Sequence, residues 1–418
     1  MVQKIARRKF LAQTAAGAAA LSMPYMSFAQ NKTPIKVGVI ISLSGPIVAY
    51  GQTQKIAAEI AADLINKSGG IDGRPLEIII RDDKLTPTEA VSQVRDLLGQ
   101  GVNLFIGGIF TPITLAISGL MPDARALFIS TGAIGDSPTH EAFNRNYFRV
   151  TDSAIMRYTA TAEAVAIRNP GVKRWGAIIP DLEGLGLSPW RAFSSAMRGF
   201  YPKFNKGAKA EFVDPVFFKL GAADYKAPIQ QAMSLPIDGI FTSASPPTFW
   251  QQVKLLGLQN KIKVIVDAGS GNTVARALKK DAPTVWNSDH WYHGLWTGKN
   301  KLAKEFVDEW IKRTGDTDPS GFAEPPYSAL LALKKAITTA KTAEPEVLIR
   351  VMEGMTFDTV QGPQTFRKED HQVLGPVDVF KIGPANNALG YAITDAMAVD
   401  ASKHVEPATP GKAIVYPQ

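Results

Sequence analysis

Cysteine is missing from all 418 residues, and histidine occurs only five times. Disulfides, thiol nucleophiles and thiolate metal sites are thereby excluded, so stability has to come from buried apolar cores, which a chain this long can supply. Past the first residues no stretch approaches the ~18 consecutive apolar residues that a bilayer-spanning helix needs. No strand-like segment is followed by a Gly-x-Ser-x-Gly elbow, a phosphate-binding lysine loop or a Gly-x-Gly-x-x-Gly fingerprint. Hydrophobic residues make up 45% and charged residues 20%, the proportions of a folded globular chain rather than a disordered one. The net charge of +8 contains no long basic run, and so gives no case for nucleic acid.

The beginning of the chain reads as an export signal. Lys4, Arg7, Arg8 and Lys9 make a basic start, Phe10 to Met26 is a short Ala-rich apolar stretch, and Ser27-Phe28-Ala29 offers small residues for cleavage near Ala29. The run Arg7-Arg8-Lys9-Phe10-Leu11 looks like a twin-arginine signal, with a general secretory signal as the plainer alternative. Either route leads to the periplasm. Removing residues 1–29 takes away four basic and no acidic groups, leaving 42 basic against 38 acidic side chains, a modest net +4.

The rest is long enough for two domains. Short apolar runs alternate with longer amphipathic ones. Ile35–Ile41, Leu76–Ile80, Leu104–Ile106 and Leu127–Ile129 read as strands, with helices at Thr53–Lys67, Thr88–Gly99 and near Pro112. The rhythm restarts after Arg149-Val150-Thr151-Asp152. Strands are expected at Trp175–Ile179, Glu211–Val216, Gly239–Thr242 and Lys263–Val266, and helices near Trp190–Gly199, Tyr225–Ser234 and Thr248–Leu256. Leu302–Arg313, Tyr327–Ala340 and Pro345–Glu353 read as further helices, and Val377–Lys381 with Gly390–Ile393 as a terminal hairpin. Such alternation predicts an α/β architecture with parallel sheets covered by helices on both faces.

Two constellations invite a catalytic reading, and both fail. Asp82 and Asp83 are adjacent on a strand, so their side chains leave on opposite faces and cannot act as a pair; capping a strand end is the better use. His290 and His293 bracket Trp291-Tyr292, but the segment has no helical pattern and no third ligand, so no metal site is expected. Trp286, Trp291, Tyr292 and Trp296 crowd the same region and read as packing. No catalytic residue and no cofactor is expected.

Four ordered elements then stand out: Lys36-Val37-Gly38-Val39; Leu43-Ser44-Gly45-Pro46 with Tyr50-Gly51; Ile65-Asn66-Lys67-Ser68-Gly69-Gly70-Ile71-Asp72-Gly73-Arg74-Pro75-Leu76; and Asp82-Asp83. Together they closely resemble the branched-chain amino-acid-binding (Leu/Ile/Val) family of periplasmic binding proteins that serve ABC transporters. Weaker likeness runs to about Gly375 through Ile106-Gly107, Pro319-Ser320-Gly321 and Phe357–Pro363, and the stretch after Pro384 is longer than the family pattern. The resemblance implies a type I binding-protein fold: two doubly wound parallel-sheet lobes joined by a three-segment hinge. The crossings would fall near Arg149–Asp152, Asn287–Tyr292 and Asp358–Gln361. Lobe 1 would comprise 33–150 plus 292–358, and lobe 2 would comprise 151–291 plus 361–410.

The same resemblance implies a monomeric receptor that is not an enzyme. It would capture a small amino acid or an aromatic or aliphatic carboxylate and pass it to a permease driven by an ATPase. A sensing module that presents closure to a signalling partner and an exported metal-dependent hydrolase are the alternatives. The residues expected at the ligand are Tyr50, Thr111, Pro112, Ser130, Gly132 and Ile134 from the first lobe, and Leu185, Ser245 and Asp267 from the second. Thr111 either bonds the ligand at a helix start or caps its own helix, and Gly132 either admits the ligand or serves a turn. Amino-acid binders of the family carry a hydroxyl residue where Ile134 stands, a tyrosine where Ser245 stands, and an acidic residue where Ala268 stands. Asp267, one residue earlier, is the substitute available for a ligand ammonium, whose burial unpaired would be costly.

Overall fold

The computed structural model describes residues 33–414 with the exception of Pro46. The export signal expected at residues 1–29 therefore lies outside the described residues, as does Pro46 of the Leu43-Ser44-Gly45-Pro46 motif.

Strands rich in Val and Ile form because a sheet covered on both faces rewards apolar residues at nearly every position. In β1 (Ile35–Ile41) only Lys36 is exposed. With β2 (Leu76–Asp82), β3 (Leu104–Gly107), β4 (Leu127–Ser130) and β5 (Tyr147–Arg149) it makes an all-parallel sheet in the order β2-β1-β3-β4-β5. Val37, Val39 and Ile41 join one core while Ile40 and Phe105 join the core on the other face. The helix Val48–Lys67 starts earlier than its apolar spacing suggested and seats Ala57, Ala58, Ala61 and Ile65 on that sheet.

The second sheet repeats this plan. Its parallel part contains β6 (Arg174–Pro180), β7 (Glu211–Phe212), β8 (Val216–Phe218), β9 (Gly239–Ser243), β10 (Val264–Ala268) and β11 (Val285–Asp289). The expected strand Glu211–Val216 is broken in two around Pro215, which lacks the N–H that a ladder needs. A third sheet, β12 (Thr356–Thr359), β13 (Gly362–Phe366) and β14 (Val373–Leu374), is small and antiparallel. The terminal hairpin is longer than expected: β15 (Pro376–Pro384) and β16 (Tyr391–Asp400) extend the second sheet in antiparallel fashion beyond β11.

One boundary needs correction. Residues 361–374 were expected in lobe 2, yet Phe366 and Val373 are buried in the same core as Val37, Phe148 and Tyr327 of the first lobe. Val377 and Val379, immediately afterwards, are buried in the second lobe. The third passage between lobes is therefore at Gly375, not at Asp358–Gln361. A Cβ at Gly375 would stand 2.8 Å from the Gln364 side chain, so the chain passes there as glycine.

Candidate functional site

In both sheets the chain starts centrally, adds a neighbour on one side, and then continues on the other. That reversal lies between β1 and β3 in the first sheet and between β6 and β9 in the second. Loops that leave the carboxyl ends of such strands splay apart and form a crevice. Tyr50 follows β1, Thr111 and Pro112 follow β3, and Gly132 and Ile134 follow β4. In the second lobe Leu185 follows β6, Ser245 follows β9, and Asp267 is the penultimate residue of β10. The expected residues thus come from three adjacent strands of each lobe.

Tyr50 connects the two halves. Its ring packs on Phe322, with centroids 4.4 Å apart. Its hydroxyl is pushed upward in pKa by burial, interacts with Thr273 of the second lobe, and feels the charges of Asp289 and Asp267. Thr111 opens the helix Thr111–Ser118, but the cap position belongs to Phe110, so the self-capping alternative is not what the residue does. Its Oγ1 accepts the Gly135 N–H at 3.3 Å. Phe110 is 41% exposed beside it and Leu182 is 45% exposed at the end of β6, giving each lobe an apolar flank.

Other expected residues are committed elsewhere. Ser130 is buried and donates to the Gly108 carbonyl at 3.4 Å. A Cβ on Gly132 would meet Ile109 Cα at 2.9 Å and Gln54 Nε2 at 3.2 Å, so packing within the lobe already accounts for this glycine. Ile134 packs against the second-lobe core, and its carbonyl accepts the Ala154 N–H. The Leu185 carbonyl accepts from Ser243 Oγ at 2.6 Å, and Ser245 Oγ lies 2.5 Å from Thr242 Oγ1.

Asp267 carries the most unusual electrostatics. It is fully buried; Ser270 donates to Oδ2 at 2.5 Å, while Oδ1 has no hydrogen-bond partner. Burial pushes this carboxyl up to about 7, with the Ser270 bond working against the rise. Around it stand residues that pattern reading missed: Ser270, Thr273 and Tyr158. Tyr158 was missed because its helix, Ala154–Arg168, was itself unread. The hydroxyl of Tyr158 and the guanidinium of Arg157 both approach Gly269, which follows β10.

The three inter-lobe passages are bonded to one another. Asp152 receives two hydrogen bonds from Arg157, at 2.6 and 2.8 Å, and contacts His290 Nδ1 at 2.9 Å. Burial acts to raise the Asp152 carboxyl, but Arg157 and His290 hold it well below the usual range. Gln361 donates to the His290 carbonyl at 2.9 Å, and Gln372 donates to the Thr151 carbonyl at 2.8 Å. Trp286 belongs to the second-lobe core and Trp291 to the first, consistent with packing around the second passage. Asp82 and Asp83 cap their own loop: Leu43 and Lys84 N–H groups donate to Asp82, and Ser42 and Leu85 to Asp83. Among the described residues no group of three His, Asp or Glu side chains is arranged to hold a metal.

Residues 34–387 match the family model described as periplasmic binding protein. The leucine-, isoleucine-, valine-, threonine- and alanine-binding protein of Pseudomonas aeruginosa is 25% identical over 353 residues, covering 81% of this chain and 87% of that protein. A branched-chain amino-acid transporter binding protein of Streptococcus pneumoniae, solved with isoleucine, superposes with a TM-score of 0.73 at 21% identity, covering 88% and 99% of the two chains. A solute-binding protein of an ABC transporter from Rhodopseudomonas palustris, solved with 3,4-dihydroxybenzoic acid, gives a TM-score of 0.70 at 21% identity, covering 89% and 98%.

Proposed function

This chain belongs to the periplasmic binding protein family, and we propose that in the periplasm it captures a small organic carboxylate between its lobes and delivers it intact to the membrane permease of an ABC importer. The observation that carries this reading is the pair of sheets with one strand order, whose carboxyl-end loops carry Tyr50 and Thr111 in the first lobe and whose strand β10 carries Asp267 near its end in the second. The first lobe offers the ligand an anion position. The Thr111 hydroxyl, whose oxygen accepts the Gly135 N–H, keeps its own proton to donate to a ligand anion at the first turn of a helix whose dipole favours negative charge. The second lobe offers the unfilled Oδ1 of Asp267, which favours a ligand bearing a hydrogen-bond donor. Phe110 and Leu182 supply apolar flanks. An amino acid and a hydroxylated aromatic acid both meet these demands.

Calorimetric titration with isoleucine and with 4-hydroxybenzoate tests the reading. One of them is expected to bind the wild-type chain and to be recovered unchanged. Thr111→Ala is expected to weaken that binding roughly ten- to a hundredfold, the equivalent of a charged hydrogen bond of about 1.5–3 kcal/mol, while thermal unfolding stays where it was. Equal affinity in both proteins would displace the site from this helix, and chemical conversion of the ligand would end the transport reading.

A further inference from the structure

The segment beyond β16 lies outside the region that matches the family model, which ends at residue 387. A terminal tail without a task is ordinarily frayed and exposed. This one is tied to both lobes. Ala401 is fully buried in the second-lobe core, and Val405 packs against the same core. His404 Nε2 lies 2.7 Å from Glu163 Oε2 on the helix Ala154–Arg168. The chain then reaches the loop between β4 and β5 of the first lobe and encloses His140. Glu406 Oε1 is 2.9 Å from His140 Nε2, Thr409 Oγ1 is 2.8 Å from His140 Nδ1, and the Gly411 N–H donates to the His140 carbonyl at 2.7 Å. Arg367, on the small third sheet's side, donates to the Glu406 carbonyl at 2.5 Å.

Charge makes this docking more than incidental. Arg149, at the first passage, is fully buried, and its hydrogen bonds go to Gln372 Oε1 (2.6 Å), the Gly135 carbonyl (2.5 Å) and Thr139 Oγ1 (3.0 Å), none of them a carboxylate. A buried cation without a counter-charge is costly. Burial acts to raise the Glu406 carboxyl, yet the His140 bond and the charges of Arg149 and His140 keep it below its usual range. Glu406 thus brings negative charge to a buried pair of basic side chains that position the 132–140 loop, the loop that also carries Gly132 and Ile134.

We propose that residues 401–414 form a fourth connection between the lobes, which clamps the 132–140 loop against the hinge and limits how far the lobes separate. Separation moves Ala401 with the second lobe and His140 with the first, so the contacts around His140 have to stretch or break. The inference rests on the two-lobed fold and not on the identity of the ligand, and its test uses none.

Because the chain lacks cysteine, Thr88→Cys on the first lobe and Gln251→Cys on the second, both exposed, introduce one specific pair of spin labels. Inter-label distances are measured by pulsed electron resonance on three proteins: the full chain, a chain ending at Lys403, and the full chain with Glu406→Gln and Thr409→Val. The full chain is expected to give one narrow distribution. Truncation and the double substitution are each expected to add a longer-distance population, with faster amide exchange over 132–140. If the truncated chain does not fold, the double variant decides alone. Distances and exchange unchanged in the double variant, or in a folded truncated chain, would overturn the proposal.

Discussion

Asp267 shows how a single side chain can be found for its charge and understood only from its surroundings. The sequence offered it as a nearby substitute for the acidic residue missing at Ala268; nothing in the sequence could tell that it is sealed from water and half satisfied. Ser130 and Gly132 show the converse. Both lie beside the expected loop, but their hydroxyl and missing Cβ are used inside the first lobe, against Gly108 and Ile109. The Asp267 environment has a measurable pH consequence. Folding raises this carboxyl to about 7, so the native state favours its protonated form. Its contribution is whole below about pH 4, declines as the pH rises, and is gone above about pH 7, a change of up to roughly 4 kcal/mol. Asp267→Asn, which cannot titrate, is therefore expected to flatten the fall in melting temperature between pH 5 and pH 8, and to be more stable than the wild type at pH 8. An identical slope in both proteins would mean that Asp267 is already ionised in the native state.

Elements were legible where one physical demand dominated. Strands β1, β3, β4, β9 and β10 are short β-branched or apolar runs buried on both faces, and amphipathic helices such as Lys301–Thr314 show one apolar stripe. The helix Ala154–Arg168 was invisible for the opposite reason. Eleven of its fifteen residues are buried, so no polar face marks a period. Strands β12 to β14 were missed because they are brief and contain Gly362 and Pro363, residues that weaken a strand pattern. The unread helix begins at the first passage between lobes. Ser153 caps it, its hydroxyl accepting the Met156 N–H at 3.1 Å. Ser153→Ala is expected to cost about 1 kcal/mol of stability in chemical denaturation. Because Asp152 and Arg157 are held by this helix start, amide exchange is expected to quicken there first. A variant with wild-type stability would show that the Asp152–Arg157 pair holds the helix start unaided.

At the scale of the whole molecule, two copies of one strand order face each other, and what matters is how firmly they are held together. Three chain passages, bonded through Asp152, His290 and Gln372, fix the axis. Away from that axis Tyr50 reaches from the first lobe to Thr273 in the second. A contact made only when the lobes are together shifts the balance by its own net free energy, and for one hydroxyl that is about 0.5–1.5 kcal/mol. Tyr50→Phe keeps the ring on Phe322 and removes only the hydroxyl. The ratio of closed to open molecules in the absence of ligand is then expected to fall by up to about tenfold. Small-angle scattering would register this as a larger radius of gyration, while the melting temperature stays nearly unchanged. If the radius does not move, the Tyr50 hydroxyl makes no net contribution to closure, and the preference for the closed form resides in the hinge itself.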